Sequence, residues 1–168
     1  MKLLVFSDSH ASVSFMRYCV DKLKPNGIVH LGDHYDDGEV IREENPQLPF
    51  QQVPGNCDRY RCPLNATEVL CCSFWGVRFF LTHGHNHRVK TGIGALLADA
   101  RRSNVSAVLY GHTHVADCHR EADGLWVMNP GACGSWGGSV GLITIEDNKI
   151  SDCRILRQSD IEELCQGC

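Results

Sequence analysis

The 168-residue sequence has no hydrophobic run near the ~20 residues that span a membrane. Its N-terminus is apolar only over Leu3-Leu4-Val5-Phe6 before Ser7 and Asp8, too short for the core of a signal peptide. A cytoplasmic protein with no membrane partner is the expectation. The sequence also lacks an excess of one charge: 16 basic and 20 acidic side chains leave −4, with no block of like sign. Without a basic surface to track a phosphate backbone, no stable nucleic-acid complex is expected, although a small fragment stays eligible as substrate. Internal repeats, low-complexity segments and linkers are missing too. Gly at 16 positions, Pro at 6 and 43% hydrophobic residues exclude collagen-like, coiled-coil and disordered chains. The length suits one hydrophobic core, so a single domain over 1–168 is expected.

Cysteine is plentiful, at ten positions. Disulfide frameworks usually staple short secreted chains that lack a core, so these residues read as free thiols in a reducing compartment. Cys71-Cys72 and Cys165-Gln166-Gly167-Cys168 read as bystanders rather than as redox or metal motifs.

Lys2 to Phe6 reads as a buried strand, followed by a helix with Phe15, Met16, Cys19, Val20 and Leu23 on one face. Ser12 or Ser14 would cap that helix and Pro25-Asn26-Gly27 would stop it. Ile28 to Leu31 repeats the strand, which implies a parallel pair with a right-handed crossover. A short polar helix over 38–44 and a weak strand over 50–53 follow. Residues 67–75 and 77–82 form a hairpin across Gly76, 91–103 a helix with Ile93, Leu96, Leu97 and Ala100 inward, and 105–110 another buried strand. From 115 to 157 the pattern is all strand, and 158–168 reads as a surface appendage. The simplest α/β architecture is a two-sheet sandwich with flanking helices, its second half antiparallel.

Polar, metal-competent residues stand just past the ends of apolar runs five times: Asp8 and His10, Asp33, Asn56, His83, then His112 and His114. Singly, each is an ordinary polar turn. Together they place chemistry outside the carboxyl ends of strands, where α/β sheets bind ligands. Glycines at 32, 55, 84 and 111 sit beside them, as tight turns and close backbone approach require. Four His, two Asp and one Asn exceed one mixed nitrogen and oxygen site and suit two divalent ions, with one carboxylate bridging. No thiolate is in the set, so manganese, iron or zinc is favoured, with nickel or magnesium as alternatives. Two such ions with two carboxylates leave a local charge of about +2, attractive to phosphate despite the acidic chain.

These segments resemble the calcineurin-like metallophosphoesterase superfamily and its small bacterial and archaeal phosphodiesterase branch, to which vacuolar sorting proteins are also similar. The likeness rests on Asp8-Ser9-His10, Gly32-Asp33, Gly55-Asn56, His83-Gly84-His85 and Gly111-His112-Thr113-His114, and spans about Lys2 to Leu156. It implies a four-layer αββα sandwich of two mixed sheets. Asp8, His10, Asp33 and His114 would hold one metal and Asp33, Asn56, His83 and His112 the other, with Asp33 bridging. A hydroxide between the ions would attack phosphorus in line. The implied substrate is a small phosphate ester, most simply a phosphodiester. A phosphomonoesterase, a nucleotide hydrolase and an inactive interaction module are the rivals. Asn129-Pro130-Gly131 resembles a turn of this branch, with Ala132 where Ser is usual.

One departure bears on mechanism. Many members carry His after Gly-Asn, where it aids the leaving group, whereas Cys57 and then Asp58 follow here. Slower turnover and a preference for leaving groups that depart without a proton are expected unless His85 or His34 substitutes, and Asp58 would either orient a ligating histidine or serve as a turn residue. Asp33, Asn56, Asp58 and His85 are thus the expected catalytic set. Arg59, Arg61, Arg88 and Lys90 follow the motifs and read mostly as solvated surface, with a phosphate clamp as the alternative. A homodimer in which a neighbouring subunit completes an open pocket is left open.

Overall fold

Along the first strand, β1 (Lys2–Phe6), successive side chains point to opposite faces, and both faces are buried. Leu3 and Val5 join a core made only of strand and loop residues from two sheets, while Leu4 and Phe6 join a second core that includes helical residues. That double burial explains why the strand reads as an unbroken apolar run. The computed structural model describes residues 1–134 and 137–166. Cys168 of the terminal cysteine motif lies outside the described residues.

After β1 come α1 (Val13–Leu23), β2 (Gly27–His30), α2 (Tyr35–Glu44) and β3 (Phe50–Gln52), with β2 parallel to both β1 and β3. Ser12 occupies the N-cap of α1 but makes no side-chain cap bond, and Lys24 closes the helix in the left-handed region before Pro25. A hairpin, β4 (Val69–Phe74) and β5 (Val77–Thr82), opens the second sheet. Then follow α3 (Gly94–Arg102), β6 (Ala107–Leu109), β7 (Asp117–Arg120), β8 (Trp126–Asn129), β9 (Ser139–Glu146), β10 (Lys149–Arg157) and α4 (Gln158–Gln166).

The strand orders are β10-β9-β1-β2-β3 and β4-β5-β6-β8-β7. Between the sheets lie Leu3, Val29, Leu81, Leu109 and Ile143. Met16 and Cys19 of α1, Ile41 of α2 and Ile161 of α4 cover the outer face of the first sheet. Leu96, Leu97 and Ala100 of α3 cover that of the second, against Phe80 and Val108. The result is the expected four-layer sandwich of two mixed sheets and flanking helices.

Two expectations need correction. The antiparallel second half is not a separate unit: β8 runs parallel to β6, and β9 returns to pair antiparallel with β1, Leu3 facing Ile143. The cause is burial, since Val140 and Leu142 face the helices while Ile143 and Ile145 face the other sheet, which only an interior strand can satisfy. Residues 158–166 are not an appendage but a helix whose Ile161 is fully buried beside α1. One anchoring residue among charged neighbours leaves little periodicity in the sequence.

Candidate metal centre

Five parallel strands deliver the site. β1, β2 and β3 run together in one sheet, β5 and β6 in the other, and the residues just past their C-terminal ends meet. Asp8 N–H donates to Gly32 O (3.0 Å), and Gly111 N–H donates to His83 O (3.0 Å). Bonds that cross between the sheets here include His83 Nδ1 to Leu31 O, 2.8 Å, and the His112 N–H donating to Asp8 Oδ2 at 3.1 Å.

The backbone is bent to suit. Asp8, His10, Asp33, His112 and His114 all have positive φ, between 44° and 69°. Such conformations each cost about 1–3 kcal/mol for a non-glycine residue and persist only where neighbours over-determine them. Gly111 and Gly55 are required by close approach: a Cβ would collide with Ser7 Oγ at the first and with Asp33 Oδ1 at the second.

One ligand atom from each of Asp8, His10, Asp33 and His114 lies within 4.8 Å of the others. His10 Nε2 is 3.4 Å from His114 Nε2. On the other side, His83 Nε2 lies 3.2 Å from Asn56 Oδ1 and 3.5 Å from Asp33 Oδ1, and its ring centroid is 5.0 Å from that of His112. Asp33 therefore stands between the two groups. With Leu31 O accepting from Nδ1, the Nε2 lone pair of His83 is left facing the acidic floor, the arrangement a metal-ligating histidine needs.

Asp8 supplies the test of whether cations fit here. It is fully buried, and its Oδ2 accepts from Ser7 Oγ (2.5 Å) and His112 N–H, but its Oδ1 has no hydrogen-bond partner. His114 Nε2 is 3.1 Å from Oδ1 yet lacks hydrogen-bond geometry. A buried carboxylate oxygen without a donor is costly, and a cation among these nitrogen and oxygen atoms would remove the cost. The donor set fits divalent ions.

Electrostatics favour the ligating forms. Burial pushes the Asp33 carboxyl up, but the His83 ring and the Cys57 N–H outweigh it and hold Asp33 below its ordinary value. His112 is shifted down by burial, by His83 and by Lys90, and so is a neutral imidazole near neutral pH. Burial and His83 likewise lower His85.

Of the two roles open to Asp58, the turn is the one its bonds fit. It is fully buried, and its oxygens accept from three backbone N–H groups, His34 (2.8 Å), Tyr35 (2.9 Å) and Gly55 (2.8 Å), rather than from a histidine ring. It clips the start of α2 to the Asn56 turn. His85 is half-buried with Nδ1 unpartnered, 3.9 Å from Glu68 through Nε2. It lines a cleft of about 430 Å³ with Asn56, Arg59, Cys62 and Leu64. His34 begins α2, its ring 5.4 Å from that of His10. Arg59 packs over Tyr60 and Arg61 pairs with Asp36 at 3.8 Å, while Lys90 is a motif-flanking cation whose charge His112 senses.

Several contributors escape sequence reading. Ser7 holds Asp8, and Asp37 of α2 accepts the Ala11 N–H at 2.9 Å, pinning the loop that carries His10. Asn129, fully buried, donates through Nδ2 to Gly111 O (3.0 Å) and Thr113 Oγ1 (2.9 Å), bracing the loop that carries His112 and His114. The Asn-Pro-Gly turn was the only signal for it.

Residues 1–148 match the model of the calcineurin-like phosphoesterase superfamily domain. The chain belongs to that superfamily. Within it, a phosphodiesterase of Methanocaldococcus jannaschii is 26% identical over 169 residues, covering 92% of this chain and 97% of that protein. A predicted phosphoesterase from Streptococcus pneumoniae superposes with a TM-score of 0.72 at 20% identity, over 94% of this chain and 97% of the other. Vacuolar protein sorting 29 from Entamoeba histolytica, solved in complex with zinc, gives 0.69 at 18% identity, over 94% and 98%. These two structures share the fold.

Proposed function

We propose that this metallophosphoesterase-family protein hydrolyses small phosphodiesters with two divalent ions, manganese first among the candidates and iron, zinc, nickel or magnesium the alternatives. The observation that carries the reading is the unpartnered, fully buried Asp8 Oδ1 at the centre of a convergent His, Asp and Asn donor set. Asp8, His10, Asp33 and His114 would hold one ion; Asp33, Asn56, His83 and His112 would hold the other, with Asp33 shared. Ions there would supply Lewis acidity toward a phosphoryl group and acidify water.

The chain's own residues do the rest. Leu31 O fixes the tautomer of His83, and Ser7 and the His112 N–H fix Asp8. Lys90 adds positive charge on the His112 side, which favours an anionic ester. The cleft beside Asn56 and His85 has room for one ester substituent. Cys57, whose thiol is pushed up by burial and by Asp33, is a poor proton donor to a leaving oxygen, and His85, lowered by burial and by His83, is mostly neutral near neutral pH and has little proton to give. Ester groups that depart without a proton are the preferred ones.

The relatives agree in class: the archaeal one is named a phosphodiesterase. A purely structural role, the second reading invited by the sorting-protein neighbours, gives no reason for a complete donor set. The experiment is hydrolysis of bis-p-nitrophenyl phosphate by metal-stripped protein with and without manganese, beside Asp33→Asn. Manganese-dependent turnover lost in the variant supports the proposal. No turnover with any divalent ion overturns it.

A further inference from the structure

The two sheets end, on one side of the sandwich, in β7 and β10, each the edge strand of its own sheet. Cys118 of β7 and Cys153 of β10 meet across that seam. Cys118 Sγ lies 3.3 Å from Cys153 Sγ and 3.2 Å from the Cys153 carbonyl oxygen. A disulfide needs sulfurs at ~2.05 Å, so an approach of little more than ~1 Å separates the pair from a bond. Both thiols are half-buried and line a surface groove of about 490 Å³ together with Ala116, Arg154 and Arg157, wide enough to admit a small reagent. Cys19 and Cys133, by contrast, are buried.

We propose that Cys118 and Cys153 form a modification site, closing to an intramolecular disulfide by exchange with a low-molecular-weight disulfide and so stapling the edge of one sheet to the edge of the other. Cys118, as thiolate, attacks one sulfur of the small disulfide; a protein-to-small-molecule S–S bond forms and one small thiolate leaves, taking up the proton that Cys118 lost. Cys153 then attacks the Cys118 sulfur, its proton passing to the second departing thiolate. Two protein thiols are oxidised and one small disulfide is reduced to two thiols. The order is interchangeable: attack by Cys153 first, with Cys118 resolving the mixed disulfide, gives the same balance. The site stands apart from the metal donor set and does not depend on the phosphodiesterase reading. It does touch that region through the chain, because β7 starts at Asp117, just after His114.

The test uses the full native chain incubated with oxidised glutathione, then alkylated and mapped as peptides without reduction. The expected result is a linked Cys118–Cys153 peptide, loss of two titratable thiols, reversal by dithiothreitol, and a thermal midpoint raised by about 4–8 °C. Cys118→Ser and Cys153→Ser should each abolish both the link and the shift. A stable glutathione adduct on either cysteine, or modification of exposed Cys71 with no linked peptide, overturns the proposal. If a serine variant fails to fold, the wild-type peptide map decides alone.

Discussion

The floor of the candidate site and its rim are held by different means. Asp8, Asp33 and His83 are at most 3% exposed, and each is tied to backbone: Asp8 to the His112 N–H, Asp33 to the Cys57 N–H at 2.9 Å, His83 to Leu31 O. His10, His114 and Asn56 are exposed and meet other side chains: His10 the rings of His114 and His34, Asn56 the His83 ring and the Cys57 thiol. The floor is thus fixed by bonds to backbone, two of which join the sheets, whereas the rim is fixed by contacts among side chains. Such a division lets a rigid scaffold set the charge while exposed imidazoles complete the coordination.

The largest test of that division is Asp33→Asn against His114→Ala. Removing the shared floor carboxylate should lower manganese-dependent phosphodiester hydrolysis by ~10³-fold or more, several kcal/mol of lost charge stabilisation. It should also abolish any rise of the melting temperature on adding manganese. His114→Ala should cost less, and much of the loss should return at high manganese. Equal, unrecoverable losses in kinetics would break the floor and rim distinction.

Asn129→Ala asks whether the rim depends on one buried amide. Without its bonds to Gly111 O and Thr113 Oγ1 the loop should loosen, lowering manganese affinity by ~10–100-fold, measured by titration of activity. Unchanged affinity would show that the backbone bonds suffice.

Acid should act through the region beneath the floor. His30 is fully buried and held by burial at about 4, an effect partly offset by Asp58 and Asp37. Unfolded, it titrates near its ordinary value of 6.5, so between these values the unfolded chain binds the extra proton. Stability contributed by neutral His30 is therefore intact above about 6.5 and is lost as pH falls toward about 4, by up to ~3 kcal/mol. Urea melts across that window should be flatter for His30→Gln, and an unchanged slope would assign the acid sensitivity elsewhere.

The smallest effect is expected at Cys57→His, at the rim. An imidazole there should raise turnover on esters with poor leaving groups by about tenfold, within the range of proton-transfer assistance, and leave good ones unchanged. No difference between the two substrate types would mean that position 57 does not face the leaving oxygen.

Most strands that open a candidate loop were legible because a short apolar run ends in a polar or glycine turn, as at Leu31-Gly32-Asp33 and Tyr110-Gly111-His112, whereas β3, Phe50-Gln51-Gln52, carries no such run. Pairing order was not. The placement of β9 between β10 and β1 depends on partners far apart in sequence, and alternation alone cannot choose among them. Within the site the donor atoms were legible but their supports were not. Ser7, Asp37 and Asn129 are ordinary polar residues until tertiary structure gives them a carboxylate, an N–H or a carbonyl to hold. Asp58 stayed open between two roles for the same reason: a carboxylate beside a motif can serve a ring or a turn, and only the backbone N–H groups of His34, Tyr35 and Gly55 choose the turn.

The central position of β1 has a consequence for the order of assembly. β1 pairs with β2 on one side, close in sequence, but its other side waits for β9. During synthesis the candidate metal donors, through His114, emerge before β9 and β10 exist, and the first sheet then carries an open apolar edge. Contacts of such long separation form late, and an unpaired edge is what other nascent chains can capture. The carbonyls of Ser7 and Asp8 also accept from Cys133 and Gly134, so the backbone of the floor is completed only by this late segment. The backbone that would receive an ion therefore reaches its final geometry only after β9 and β10 have been made, so that an early ion would meet an incomplete floor.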